Sequence, residues 1–287
     1  MKRLTASFAI FAFSVTSLSA FTPENTRREF SRTTEKELSI IIDVAFGTLY
    51  VERGPKDRVA VVDYDQDTDD KLRIAVSYEV SGSKGTLRIK TKKDSKIWKD
   101  ENSNDHGDDR RITVMLSEDL PIDFDLELGA GRGELDVTGL RIRQLRIETG
   151  ASSVELMCEK PNPIVAEKIE IESGVSKFTG TNLSNLNFRV LNFSGGIGSY
   201  KLDFGGALRQ SAKASIEVGL GSIVVNIPSN IAARVVHDES WLSSSNLDDE
   251  FIRKRGDVYE TREYQDADHR LDLSIESGLG SVKVRRY

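Results

Sequence analysis

The chain closes on IESGLGSVKVRRY at 275–287, and fifty-nine residues earlier it reads IEVGLGSIVVNIP at 216–228. Looser copies of the same phrase stand at 126–137 (LELGAGRGELDV), 146–156 (RIETGASSVEL), 169–180 (IEIESGVSKFTG) and 192–203 (NFSGGIGSYKLD). Their leading glycines are Gly129, Gly150, Gly174, Gly196, Gly219 and Gly278, spaced by 21, 24, 22, 23 and then 59 residues. A second glycine follows two positions later at Gly131, Gly198, Gly221 and Gly280. Each copy is an alternating run, a glycine-marked bend and a second alternating run. Alternation sends successive side chains to opposite faces, so Ile169 and Ile171 share one face and Glu170 and Glu172 the other. Glycine permits positive φ and close backbone approach at the bend. One such unit cannot bury its apolar face alone, whereas a stack of them can. The pattern predicts an all-β fold, a single-stranded parallel β-solenoid of Gly-punctuated repeats with a period of about 22 residues. Six rungs at about 4.8 Å make a stack of roughly 25–30 Å. A β-sandwich of the same short strands is the rival arrangement.

Less regular copies precede these. IIDVAFGTLYVERG at 41–54 carries the pattern with Gly47, and IAVSYEVSGSKGTLRIKTK at 74–92 carries it with Gly85. RITVMLSEDLPIDFDLELGAG at 111–131 supplies two strands around Pro121. The expected organisation is a linker at 21–37, degenerate rungs at 38–118, and the regular repeat at 119–287 with an excursion at 229–270. In that excursion SNIAARVV at 229–236 reads as a strand, and 237–256 reads as a polar loop. Arg285, Arg286 and Tyr287 are expected to guard an exposed final edge.

Residues 1–20 read as a signal peptide. Lys2 and Arg3 are basic, Ala9–Val15 is mostly apolar, and SLSA at 17–20 offers small residues for cleavage. No other stretch is long and apolar enough to span a bilayer as a helix. The implied location is the periplasm or the cell surface. Cys158 is the single cysteine, so no intramolecular disulfide is available, and SSVELMCE reads as strand with a buried thiol. The formal charge is −6, or about −8 without Lys2 and Arg3. That balance argues against nucleic acid and against attachment to anionic lipid.

No catalytic constellation is legible, and no cofactor is implied. VDYDQDTDDK at 62–71 alternates Asp63, Asp65, Asp67 and Asp69, which makes a weak calcium site the functional reading and a solvated acidic connection the plain one. The helix-loop-helix calcium pattern fails, because its glycine and glutamate places are Thr68 and Ile74. Asp105, His106, Asp108 and Asp109 in KDENSNDHGDDRR read as loop filling, with metal ligation the alternative. His237 and His269 suggest no zinc set. Glu148, Glu172, Glu217 and Glu276 recur just before the glycines, where stacking would line them into an acidic ladder. Two carboxylates at a fixed separation are what glycan cleavage needs, but an outward-facing repeat position explains them more simply. Trp241, Phe251, Tyr259 and Tyr264 lie in the excursion, where they read as core or loop anchors, with a surface that recognises protein or glycan the functional alternative.

The stretch from Asp119 to Gly180, DLPIDFDLELGAGRGELDVTGLRIRQLRIETGASSVELMCEKPNPIVAEKIEIESGVSKFTG, resembles the bacterial toast-rack family. That family is related to the C-terminal domain of the cell-wall-antibiotic response protein LiaF and to adhesin-like domains. Phe251, Lys254, Gly256, Tyr259, Tyr264, Ala267 and LDLSIESGLGSVKV at 271–284 resemble its closing segment. The resemblance implies a parallel β-stack without catalytic machinery, and for some relatives a link to envelope stress through partner proteins. This chain lacks the membrane helices of the LiaF-like arrangement. The expected function is an exported, non-enzymatic envelope interaction module with a protein partner. A glycan-binding or glycan-cleaving solenoid is the alternative.

Overall fold

A computed structural model describes residues 24–66, 72–93, 110–238 and 243–287. The expected signal peptide, Asp67, Asp69, Trp241 and the loop at 99–109 lie outside them. The described strands are β1 (Glu24–Ser31), β2 (Glu37–Arg53), β3 (Arg58–Gln66), β4 (Leu72–Ser81), β5 (Lys84–Lys93) and β6 (Arg111–Leu116). They continue as β7 (Pro121–Asp136), β8 (Arg141–Met157), β9 (Ala166–Thr181), β10 (Phe188–Asp203) and β11 (Ala212–Ile227). The last are β12 (Ala232–Asp238), β13 (Ser243–Leu247), β14 (Ile252–Arg255), β15 (Val258–Glu260) and β16 (Arg270–Arg286). All belong to one sheet, at whose centre β2, β7, β8, β9, β10, β11 and β16 run side by side in parallel.

The links dictate the shape of these long strands. β7 ends at Asp136, yet Arg141, the first residue of β8, pairs with Pro121 at the start of β7. So short a connection reaches at most about 18 Å. A straight strand of that length would span about 50 Å. The strand therefore folds back on itself, and the glycine phrase is where it folds. In β11 the buried residues are Ala212, Ala214, Ile216 and Val218 before the bend, and Ile223, Val225 and Ile227 after it. The parity of burial changes across the bend, which keeps the apolar side of both arms facing inward.

The core is built in columns. Ile42, Leu126, Ile147, Ile171, Phe193, Ile216 and Ile275 occupy equivalent positions on successive strands and are all buried. Burying each such side chain contributes about 1.5–3 kcal/mol relative to exposure. Cys158 is buried and its thiol donates to the Lys160 carbonyl at 3.1 Å. Burial, helped by nearby Asp136, pushes that thiol up to about 12.

The ends depart from a uniform parallel stack. β1 pairs antiparallel with β3, β3 with β6, and β12 with β15, which pairs antiparallel with β14. Residues 24–31, expected as linker, form β1. The segment 74–92 is not a rung bent at Gly85 but an antiparallel hairpin of β4 and β5 that turns at Gly82–Ser83. Ser-Gly-Ser-Lys is a two-residue hairpin turn, and Gly82 supplies the positive φ of +60° that it needs. At the far end β12 pairs with the first arm of β16 and β13 with its second arm. The excursion thus begins by covering both arms of the closing strand, and the final strand is not the exposed edge expected of it.

Candidate binding surface

Stacking the bends produces two parallel rows. The first is acidic. Asp43, Glu127, Glu148, Glu172, Ser194, Glu217 and Glu276 pair one to the next across β2, β7, β8, β9, β10, β11 and β16. Carboxylates fill six of those seven places. The four glutamates expected to form a ladder do so, joined by Glu127 and Asp43, with Ser194 interrupting.

Farther from the bend, charge is balanced across strands. Arg143 bonds Asp123 at 2.6 and 2.8 Å and Glu37 at 2.7 Å, which ties β8 to β7 and β2. Arg189 meets Glu167 at 2.9 Å. Beside the bend, Asp43 pairs with Lys90 at 3.3 Å and Glu148 with Arg146. Glu127, Glu172, Glu217 and Glu276 form no ion pair among the described residues. They are exposed, with neighbouring positions about 4.8 Å apart, so the edge carries a concentrated negative field.

The second row lies at the fold itself. Phe46, Ala130, Ala151, Val175, Ile197, Leu220 and Leu279 are register partners in the same order. The last four are large, apolar and open to solvent, at 63, 52, 42 and 47 % exposure. Scattered exposed apolar residues are ordinary, but an aligned series is a surface. The leading glycines lie between the two rows. A shallow groove of about 430 Å³ is lined by Glu127, Glu148 and Glu172 with Gly129, Gly150 and Gly174. A second, of about 560 Å³, is lined by Glu217, Glu276, Gly219 and Gly278.

The row is continuous because the backbones of adjacent bends approach closely. A Cβ at Gly221 would strike the carbonyl oxygen of Gly198, and one at Gly280 that of Gly221. Both residues also have positive φ, +133° and +148°.

The aromatic residues of the excursion face inward. Phe251 is buried with the Arg286 guanidinium 5.8 Å from its ring centre. Tyr264 is buried, donates its hydroxyl to Asp272 at 2.5 Å, and has Arg234 4.4 Å from its ring. Burial and the Asp272 carboxylate push this phenol up to about 12. Tyr259 is half-buried with Arg253 at 5.8 Å. These three anchor the excursion, the plainer of the two readings, and together form no exposed patch. Arg286 is the anchor sequence reading missed. Its buried guanidinium donates to the carbonyls of Pro228, Ile231 and Ser229 at 2.7–2.9 Å, and to Glu263 at 2.9 Å. Nothing in RRY distinguishes it from the surface arginine beside it.

Of the proposed calcium ligands, Asp63 accepts from Arg27 at 2.8 Å, its register partner on β1. Asp65 is half-buried. Among the described residues, no three His, Cys, Asp or Glu side chains form a metal-binding group. Among them too, no helix is long and apolar enough to cross a membrane.

Comparison with known proteins places this architecture. No curated protein matches the chain. A solved structure of a candidate cell adhesion protein from Clostridium sporogenes aligns over 93 % of this chain and 100 % of its own, at 17 % identity and TM-score 0.47. A candidate adhesin from Bacteroides fragilis aligns over 92 % and 98 %, at 13 % identity and TM-score 0.39. A candidate lipid binding protein from Parabacteroides distasonis aligns over 92 % and 97 %, at 16 % identity and TM-score 0.35. The family model described as the N-terminal domain of toast_rack, DUF2154, matches residues 21–179, more than half of the sequence. With its bent strands stacked side by side, the chain belongs to the toast-rack family.

Proposed function

We propose that the chain is an exported, non-enzymatic interaction module of the cell envelope, and that it binds a protein partner along the bent edge of its stack. The observation that carries this reading is the row of glutamates, four of them without an ion pair among the described residues, running beside a row of exposed apolar side chains. A parallel solenoid of regular repeats makes such an edge rigid, and the excursion caps one end of it. The leader expected at 1–20 directs the chain out of the cytoplasm. Envelope-stress sensing and surface adhesion are the two roles this reading allows, and the partner decides between them.

The test is photo-crosslinking in the producing cells. A photoreactive residue at Leu220 is expected to trap a discrete envelope protein, and one at Val80, exposed on β4, is not. Equal labelling from both positions, or none from Leu220, refutes the reading. A glycan reading draws on the same groove, because Glu127, Glu148 and Glu172 line it together. Release of sugar fragments from cell-wall glycan that is lost in Glu148→Gln and Glu172→Gln would replace the binding module with an enzyme.

A further inference from the structure

The exposed apolar row invites a specific occupant. Val175, Ile197, Leu220 and Leu279 sit on four adjacent strands, so they recur about every 4.8 Å and span about 14 Å. The backbone of each inner strand is hydrogen-bonded to neighbours on both sides, which leaves no free edge for an added strand along this line. Recognition must therefore use side chains. Three turns of α-helix rise about 16 Å, close to the length of the row. Three alternate-residue steps of an extended chain cover about 20 Å and fall out of step.

The charge is one-sided. Glu172, Glu217 and Glu276 stand three residues before Val175, Leu220 and Leu279 on their strands. Two residues after the apolar row come Lys177, Ser199, Ser222 and Ser281, which are register partners on the other arm. An occupant complementary to both features has an apolar stripe with basic residues along one side of it. An anionic lipid surface has the wrong sign for the glutamate row.

We propose that the bent edge docks a cationic amphipathic helix of a partner polypeptide. Its apolar stripe rests on Val175, Ile197, Leu220 and Leu279, and its Lys and Arg side chains meet Glu172, Glu217 and Glu276. The proposal rests on reading the chain as an interaction module and names the chemistry of its partner.

The probe is a labelled peptide of about 18 residues, long enough for the row, with leucines at helical spacing and lysines along one flank. Its twin carries glutamates instead. Anisotropy with the full chain is expected to show the lysine peptide binding at least about tenfold tighter than the twin, with the gap narrowing as salt rises. Ile197→Ser with Leu220→Ser is expected to weaken it about tenfold, as loss of central apolar anchors does. Glu172→Gln with Glu217→Gln is expected to weaken it about threefold to tenfold and to flatten the salt dependence. Ile252→Ser, an exposed change on the excursion, leaves binding unaltered. All altered side chains are exposed, and unchanged melting temperatures confirm folding. Equal affinity for the two peptides, or indifference to the apolar changes, overturns the proposal. So does a dimer in sedimentation that Ile197→Ser abolishes, because the occupant would then be a second copy. Failure of the peptide alongside a discrete Leu220 crosslink refutes the helix and leaves the interaction module standing.

Discussion

The central stack and the C-terminal excursion are held together in different ways. From β7 to β11 each strand repeats the backbone register of its neighbour along both arms, and apolar columns fill the space between the arms. Buried polar side chains serve the links between its strands, where Asn162 donates to the Ile142 and Leu186 carbonyls and Asn185 to that of Cys158. In the excursion, β15 and β14 are short, and the segment is tied down by individually placed groups. Arg286 bonds three carbonyls and Glu263, Arg234 bonds Glu260 at 2.8 Å, Gln265 bonds the same carboxylate at 2.8 Å, and Tyr264 bonds Asp272. Repetition lets backbone pairing and apolar burial hold the arms, and where repetition stops, in the links and above all in the excursion, individually placed polar contacts take over.

This contrast can be broken most sharply at the bends. Gly221→Ala is expected to cost about 3–5 kcal/mol in chemical denaturation, because it combines backbone overlap with an unfavourable φ. Gly82→Ala, at a hairpin turn with open space around it, is expected to cost about 1–2 kcal/mol. Equal losses would mean that close packing of the bends is not what the stack depends on.

Arg286→Met comes next. It leaves three carbonyls, that of buried Ile231 among them, without their donor and should cost about 3 kcal/mol. Hydrogen exchange should accelerate in 243–266 while 121–227 keeps its protection. Uniform acceleration would contradict separate modes of stabilisation.

Acid should separate the two regions in the same direction. Burial alone pushes the Glu260 carboxyl up, but bonds from Gln265 and Arg234 outweigh it and hold the group below its ordinary value. A depressed carboxylate adds stability above its unfolded pKa of about 4.3 and loses it as pH falls through the folded value. Exchange protection of 252–266, corrected for intrinsic rates, should therefore fall between pH 6 and pH 3 before that of the stack. Simultaneous loss would remove Glu260 as the reason.

The smallest effect is expected at the acidic edge. Glu172→Gln relieves like-charge crowding and should stabilise the chain by about 0.2–1 kcal/mol at low salt. The gain should fade at about 1 M salt, where the Debye length is near 3 Å. A loss of stability would mean that the glutamate row has partners in the fold.

The same contrast explains what could be read from the sequence. The stack was legible because its cause is periodic: Gly219-Leu-Gly221 and Gly278-Leu-Gly280 are the same phrase and lie in register. Glu148, Glu172, Glu217 and Glu276 could be foreseen as a ladder for the same reason. The apolar row was present in those phrases, as the residue between the glycines, but period alone does not say which side of a bend faces water. The pairing of β12 and β13 with the two arms of β16 was hidden because residues 239–242 contain no glycine, and Ser-Ser-Ser-Asn-Leu does not alternate. The hairpin of β4 and β5 was misread because Gly85 mimics a bend glycine, while the turn sits three residues earlier. Burial of Arg286 depends on contacts distant in sequence, and these leave no local pattern.

The bends bring equivalent residues of successive rungs into a single line, four of them large, apolar and exposed. Disulfide trapping tests this directly in a Cys158→Ser background. Ile197→Cys with Leu220→Cys, on adjacent strands in register, should close rapidly within one chain, because paired Cα atoms lie inside the roughly 4.4–6.8 Å that a disulfide spans. Ile197→Cys with Leu279→Cys, two strands apart at roughly 9.6 Å, should stay reduced. Closure of the second pair but not the first would contradict the register on which the fold, the two rows and the proposed docking edge all depend.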